Sequence, residues 1–297
     1  MGLLLALACS GADSQPADSV DSEPPLSHLF SFAVIADPHV SGSDNGNEQR
    51  LQTAVAWIND NASAERVELV WIVGDIGWGD GLPRARLALD ELEPTWLPVI
   101  GDNEIHIDSE PEFDQIFGDH YETLAGRLDS WQKGAVEVHN DTYDVTSWMQ
   151  NFSFDYGGLH WVGLDWNSRS DNSLLGELGE LNDFEDGSLP FFQNDLGVFE
   201  ASEREDILLF SHHPMHIGAF NDAQMAELTG TTEPIAGRVA GAYAGHLHLN
   251  AEVEVTEGGY VVWVTDATWD DENTVRLVRV FGNGIRHEYE QELVELD

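Results

Sequence analysis

The chain has 297 residues, 42 % of them apolar and 10 % aromatic, enough to build a core and to exclude disorder of the whole. Acidic residues number 55 against 12 basic ones, a formal net charge of −43 with Lys133 as the only lysine, so binding to nucleic-acid structure is excluded by repulsion. Cysteine occurs once, at Cys9, which excludes an intramolecular disulfide or a cysteine-based zinc site and leaves any metal to histidines and carboxylates. The acid excess itself reads as solvation in a salty or calcium-rich setting, with a cation-binding surface as the alternative.

In chain order, residues 1–10 form an apolar run too short to span a bilayer. Residues 11–25, rich in Ser, Asp and Pro, read as a flexible tether. Together they resemble a bacterial lipoprotein leader that is cut before a cysteine, here Cys9, which then carries lipid. That resemblance implies an exported protein, periplasmic or at the cell surface, with membrane attachment through Cys9. It departs from the usual pattern in having no basic residue before the run.

Residues 30–36 are a strand that ends at Asp37-Pro38-His39. A polar loop over 41–47 precedes Leu51, Val55 and Ile58, which recur at helical spacing. Residues 67–73 form a second strand ending at Gly74-Asp75, and a helix is expected over 84–91 after Pro83. The third strand, 96–100, ends at Gly101-Asp102-Asn103-Glu104. This β-α-β-α-β order favours parallel strands with right-handed crossovers, and sites in such sheets gather at the carboxyl ends of the strands. Residues 105–150 read as an irregular insertion and 167–194 as loop, with a hairpin between them over 151–165. Strands at 207–210 and 239–244 end at Ser211-His212-His213-Pro214 and Gly245-His246-Leu247-His248. The tail alternates apolar and polar residues, as antiparallel strands covering a second sheet would.

Five strand ends therefore carry metal-type ligands: Asp37 with His39, Asp75, Asp102 or Asn103, His212, and His246 with His248. Each alone is an ordinary turn or a surface histidine. Five in order, each directly after an apolar strand, are hard to produce by accident. Mixed histidine and carboxylate donors suit Zn²⁺, Mn²⁺ or Fe better than Ca²⁺ or Mg²⁺.

In their order these motifs resemble the series of the calcineurin-like metallophosphoesterase superfamily, D-x-H, G-D-x-x-D, G-N-H-E, H and G-H-x-H. The hairpin FSFDYG followed by HWVGLD resembles one common in that family. The resemblance spans residues 30 to about 290 and makes 29–297 a catalytic domain behind a leader and tether at 1–28, with insertions near 105–150 and 167–200. It implies an α/β fold, a four-layer α/β/β/α sandwich with two mixed β-sheets. It further implies two divalent or mixed-valence transition ions (Fe, Mn or Zn), one held by Asp37, His39 and His248 and the other by His212, His246 and the residue at the Asn position, with Asp75 bridging. The implied reaction is hydrolysis of a small phosphorylated substrate, a phosphomonoester, nucleotide or phosphodiester, by a metal-activated hydroxide.

Two departures bear on this. Ungapped, Asp102 takes the place of the ligand Asn and Asn103 that of the His that assists the leaving group; a shift by one residue would make Asn103 the ligand. Since Asn103 cannot donate a proton usefully, His106, His216 and His213 are the candidate replacements. Trp78 stands where purple acid phosphatases carry a metal-binding Tyr, so no iron–tyrosinate colour is expected. The rival reading is an exported metal-binding lipoprotein of the same fold that has lost catalysis and binds a ligand or partner. Among the remaining residues, His160 reads as packed and His28, His120, His139 and His287 as exposed and idle. Arg169 reads as a surface ion pair or a phosphate contact, Asn167 as a pocket candidate, and Trp131 and Trp148 as a substrate wall or as core.

Overall fold

The structure, a computed structural model, describes residues 23–43, 46–106, 110–141, 144–169, 178–200, 202, 204, 206–216, 218–269 and 273–296. Cys9 and most of the expected leader and tether lie outside them.

The domain opens with β1 (Ser27–Ile35), α1 (Asn47–Glu65), β2 (Val67–Val73), α2 (Gly81–Leu89) and β3 (Thr95–Val99). The three strands pair in parallel. Each crossover is a helix that lays an apolar stripe on the sheet, Leu51, Ala54, Val55 and Ile58 from α1 and Leu82, Ala85 and Leu89 from α2. After the short α3 (Asp102–His106) comes α4 (Glu110–Ala125), so the stretch read as irregular carries a full helix. Its buried face is Phe113, Phe117, Tyr121 and Leu124, a helical spacing hidden among acidic residues. β4 (Asp129–Lys133), β5 (Glu137–Asn140) and β6 (Val145–Trp148) follow, β5 and β6 pairing as a separate ribbon.

β7 (Phe152–Tyr156) and β8 (Leu159–Leu164) form the expected hairpin across Gly157-Gly158. α5 (Ser188–Glu200) lies in and beyond the stretch read as loop, burying Leu189, Phe192, Leu196 and Phe199. β9 (Ile207–Ser211), α6 (Asp222–Thr232) and β10 (Val239–Ala244) continue the parallel pattern, and β11 (Ala251–Val255), β12 (Tyr260–Val264), β13 (Asn273–Gly282) and β14 (His287–Leu296) close the chain. Asn221 caps α6, accepting from the backbone of Ala223 and Gln224 at 3.0 Å each.

Two large mixed sheets result, ordered β14-β13-β1-β2-β3 and β11-β12-β10-β9-β8-β7-β4. The tail strands divide between them instead of all covering the second. β11 and β12 join the second sheet, whereas β13 pairs antiparallel with β1 from Ser27–Gly282 to Val34–Arg276. β13 is buried along most of its length, a position that alternation in the sequence cannot distinguish from a half-exposed one. The facing sides of the sheets interlock through aromatic rings. Trp71 stacks on Phe210 at 3.7 Å, and Phe32 meets Trp161 and Tyr243 edge-on at 5.2 and 5.3 Å. Each such ring removes roughly 150–250 Å² from water, an upper bound of about 4–6 kcal/mol. On the outer side of the second sheet, Phe192 and Phe199 of α5 and Leu228 of α6 pack on Val162, Leu164, Leu209 and Val262. The layers are α/β/β/α, and the interlock brings the carboxyl ends of β1, β2, β3, β9 and β10 to one edge.

Candidate metal centre

Every candidate ligand follows a strand of the buried core. The loops that carry them are laced together by their backbones. His39 N–H donates to Asp75 O at 2.8 Å, Val40 N–H to Ile76 O at 3.1 Å and Trp78 N–H to Val40 O at 3.2 Å. Across the second sheet, Gly245 N–H donates to His212 O at 3.2 Å. Glu104, fully buried, accepts from Gly77 N–H at 2.9 Å and Gly101 N–H at 2.7 Å, joining the β2 and β3 loops. Asn47, at the start of α1, donates to His39 O at 2.9 Å.

Five of the seven candidate ligands have left-handed backbone conformations, with φ of 48° at Asp37, 49° at His39, 47° at Asp75, 69° at His246 and 48° at His248. Such conformations cost about 1–3 kcal/mol each in non-glycine residues and persist only where the surroundings over-determine them. The neighbouring glycines are part of that constraint. A Cβ at Gly101 would collide with the Asp75 backbone nitrogen, and one at Gly245 with the Asp37 carboxylate.

The side chains converge as two groups, Asp37, His39, Asp75 and His248 in one and Asp102, His212 and His246 in the other, the donor atoms of each lying within 4.8 Å of one another. Within the first, His39 Nε2 is 3.0 Å from Asp75 Oδ2 and His248 Nε2 is 3.7 Å from Asp37 Oδ1. Within the second, Asp102 Oδ1 is 2.9 Å from His212 Nε2 and 3.9 Å from His246 Nδ1. The groups touch: Asp75 Oδ1 lies 3.4 Å from His212 Nε2. Two atoms bound to one tetrahedral ion at ~2.1 Å stand about 3.4 Å apart, so these separations fit a shared cation. His212 Nδ1–H donates to Val73 O at 3.0 Å, which fixes the tautomer and leaves Nε2 as the donor atom. The floor is closed, with Asp37, Asp75 and His212 at 0, 2 and 1 % exposure, while His39, Asp102, His246 and His248 form a half-buried rim.

The electrostatics also favour cations. Burial raises the Asp37 carboxyl well above the usual range, the charges of Asp75 and Asp102 add to this, and His212 only partly offsets it. Asp102 is raised by burial and by Asp75. Burial and Asp75 push Glu104 up to about 8. Asp75 differs: burial pushes it up, but the charge of His212 and the hydrogen bond from His39 outweigh burial and hold it well below the usual carboxylate range. Three carboxylates crowded with four imidazoles, several in conflict over protons, are relieved by divalent cations.

Placement of the other residues sharpens the sequence reading. Asn103 turns its amide to Asp75, Nδ2 donating to Oδ2, and its backbone N–H donates to Asp75 Oδ1 at 2.9 Å. His213 is buried with its ring 4.2 Å from that of His246. His216 lines a cavity of about 440 Å³ between α6 and β11, with Met225, Thr229 and Val253. The side chain of His106 lies outside the described residues. Arg169 is a correction: it is 7 % exposed and forms a buried bidentate pair with Asp165 at 3.0 and 2.7 Å, so it is no surface ion pair. Asn167 is buried and donates to Ile100 O at 3.0 Å, steadying the end of β3. Trp131 packs on Phe152 at 5.3 Å, among core rings. Of the histidines read as idle, His139 is exposed, but His120 stacks on Trp96 at 3.7 Å, His287 Nδ1 meets Asp206 at 3.2 Å and His28 bonds Ser31 at 3.0 Å. His160 is packed, as expected.

The wall beside the site comes from elsewhere. Trp269 stacks on His39 at 5.2 Å and meets His248 edge-on at 5.2 Å, and Trp78 meets His39 edge-on at 5.4 Å. Trp269 carries no sequence signal, since it follows the last motif by some twenty residues, between β12 and β13.

A two-sheet sandwich with histidine and carboxylate clusters at its strand ends is the metallophosphoesterase architecture. Residues 30–250 match the calcineurin-like phosphoesterase family, and the chain belongs to that family. No curated protein matches it. Among solved structures, it resembles the sulfate thiohydrolase SoxB of Thermus thermophilus, with a TM-score of 0.50, 10 % identity and coverage of 92 % of this chain and 59 % of that one. Purple acid phosphatase PPD1 from yellow lupin (Lupinus luteus) aligns with a TM-score of 0.49, 12 % identity and coverage of 92 and 54 %. Phosphopantetheinyl hydrolase PptH from Mycobacterium tuberculosis aligns with a TM-score of 0.46, 10 % identity and coverage of 81 and 90 %. The chain thus spans a little over half the length of the first two, and at such identities the likeness concerns the fold alone. Family membership and the two ligand groups point to the binding of divalent metal ions.

Proposed function

We infer that the protein hydrolyses phosphate esters with two transition-metal ions, Fe, Mn or Zn. The observation that carries this is the contact between the two groups. Asp75 belongs to the first and its Oδ1 lies 3.4 Å from His212 Nε2 in the second, where one carboxylate can serve both. Asp37, His39 and His248 would hold one ion, Asp102, His212 and His246 the other. Bound there, the ions would supply Lewis-acid stabilisation of phosphoryl oxygens, a nucleophile from water, and the local positive charge that this acidic chain lacks.

The protein's own residues do the rest. The strained loops and Glu104 hold the donors in place before substrate arrives, which lowers the reorganisation needed in the reaction. Trp78 and Trp269 shield the histidines of the first group and offer an apolar flank to the organic part of the ester. Asn103 steadies Asp75 instead of donating a proton to the leaving group. Esters with good leaving groups, such as aryl phosphates, are therefore the favoured substrates, since a general acid is worth about 10²–10⁴-fold.

The test is turnover of p-nitrophenyl phosphate and its bis-ester after loading with Mn²⁺ or Zn²⁺, beside a chelator control and an alkyl phosphate. Metal-dependent turnover with aryl esters ahead of alkyl ones is expected. Equal rates would show that another acid serves, and metal-loaded protein inert to every ester would favour the second reading, a metal-binding fold without catalysis, which the Asn103–Asp75 bond supports. Export as a lipoprotein modified at Cys9 completes the proposal; the mass of the mature N-terminal peptide tests it.

A further inference from the structure

A chain that carries one lysine in 297 residues turns its amine inward. Lys133 Nζ, at the end of β4, donates to Gln150 Oε1 at 2.8 Å and stands 4.2 Å from the centre of the Tyr121 ring. Both partners are themselves fixed. Gln150 donates through Nε2 to Asp114 Oδ1 at 3.2 Å and through its backbone N–H to Asp165 Oδ2 at 3.1 Å. The Tyr121 hydroxyl donates to Pro98 O at 2.8 Å. An exposed lysine samples many rotamers, whereas this one is held in position.

Lys133, Tyr121 and Trp131 line a cavity of about 300 Å³ together with Asp114, Glu122 and Val136. Glu122 and Ala125 at its edge are exposed, so the cavity opens to solvent. For scale, a cavity of roughly 150 Å³ accommodates benzene. Tyr121 and Trp131, their rings 6.3 Å apart, make the lining partly aromatic.

We propose that this cavity is a reversible covalent binding site for a small aromatic aldehyde, held as an imine on Lys133. The amine nitrogen attacks the carbonyl carbon, a C=N bond replaces C=O, and the oxygen leaves as water with the two amine hydrogens; no oxidant or reductant takes part. Asp114 and Glu122 from α4 line the cavity with the amine, and Asp165, itself paired with Arg169, also acts on the amine's charge. Their negative charge disfavours a carboxylate or phosphate ligand and favours a neutral carbonyl, which separates this site from the phosphate chemistry at the strand ends. Burial pushes the Lys133 ammonium down to about 7, against the pull of Asp114 and Asp165. At neutral pH about half the amine is then free, roughly 10³-fold more than in a lysine of pKa about 10.4.

The wild-type chain itself provides the test, so no variant has to fold. It is incubated with benzaldehyde and cyanoborohydride over a range of about pH 5 to 10, and the peptide containing Lys133 is followed by mass spectrometry. The expected result is a single reductive adduct on Lys133, half-maximal near neutral pH and formed at least about tenfold faster at pH 7 than on Nα-acetyl-lysine. Benzaldehyde should also outpace acetaldehyde in this trapping, and benzoate should not protect. A half-maximum near pH 10, a rate equal to that of Nα-acetyl-lysine, or acetaldehyde trapped as readily as benzaldehyde would overturn the proposal and leave Lys133 as a prop for Gln150.

Discussion

Alanine at Asp102 should cost the protein a metal ion, whereas alanine at Asn103 should not. Asp102 Oδ1 faces the second group, 2.9 Å from His212 Nε2 and 3.9 Å from His246 Nδ1. The Asn103 amide faces the other way and donates to Asp75. A unit charge about 4 Å from another, at an effective dielectric of about 20, is worth about 4 kcal/mol, or roughly a thousandfold in affinity. Asp102→Ala removes both that charge and a donor atom, so desalted protein should retain one metal equivalent where the wild type retains two. Asp102→Asn keeps an oxygen and loses only the charge, and should fall between. Asn103→Ala should keep both equivalents, with Asp75 less firmly held. Elemental analysis after desalting reads the stoichiometry, and circular dichroism confirms the fold. If Asn103→Ala empties the second position while Asp102→Ala does not, the donor assignment is shifted by one residue and the reasoning fails.

Three further outcomes are expected. Protein loaded with iron should show no tyrosinate charge-transfer band, because Trp78 offers no metal-binding lone pair beside His39; a purple wild-type protein sinks that reading. Gly101→Ala should cost about 1–3 kcal/mol in urea unfolding, since its methyl group meets the Asp75 backbone, whereas Gly197→Ala, in α5 with nothing near its Cβ, should stabilise by about 0.5–1 kcal/mol; equal midpoints for the two would count against the close-approach argument. His160 donates to Asp195 and Asp155 at 2.9 Å each; burial lowers its pKa, but those two carboxylates outweigh burial and raise it. Because the folded value is the higher one, the His160 contribution is fully present below about pH 6.5 and lost as pH rises through the folded value. The stability gap between wild type and His160→Gln, about 1–3 kcal/mol in acid, should narrow in alkali, and a gap constant across that range would contradict it.

The ligand-bearing strand ends are legible in the sequence because their signal is local. Each is an apolar run of strand length followed at once by Asp or His, as at 30–36 before Asp37 and 67–73 before Asp75. α4 and α5 are less legible, since their apolar residues are interleaved with many acidic ones that mask the helical period. His120 and His287 show a different limit. Nothing near them in sequence announces Trp96 or Asp206, which lie in other elements and give them their partners.

By itself, the sequence determines the order of the ligand-bearing strands, the class of the fold and seven candidate donor positions, one of them open between Asp102 and Asn103, because periodicity and motif are properties of neighbouring residues. Only the tertiary structure decides that Asp102 and not Asn103 faces His212, that β13 lies beside β1, that Trp269 flanks His39, and that Arg169 and Lys133 are turned inward. Those facts depend on contacts between residues distant in the chain, and their energies arise only when the two sheets close on each other and exclude water.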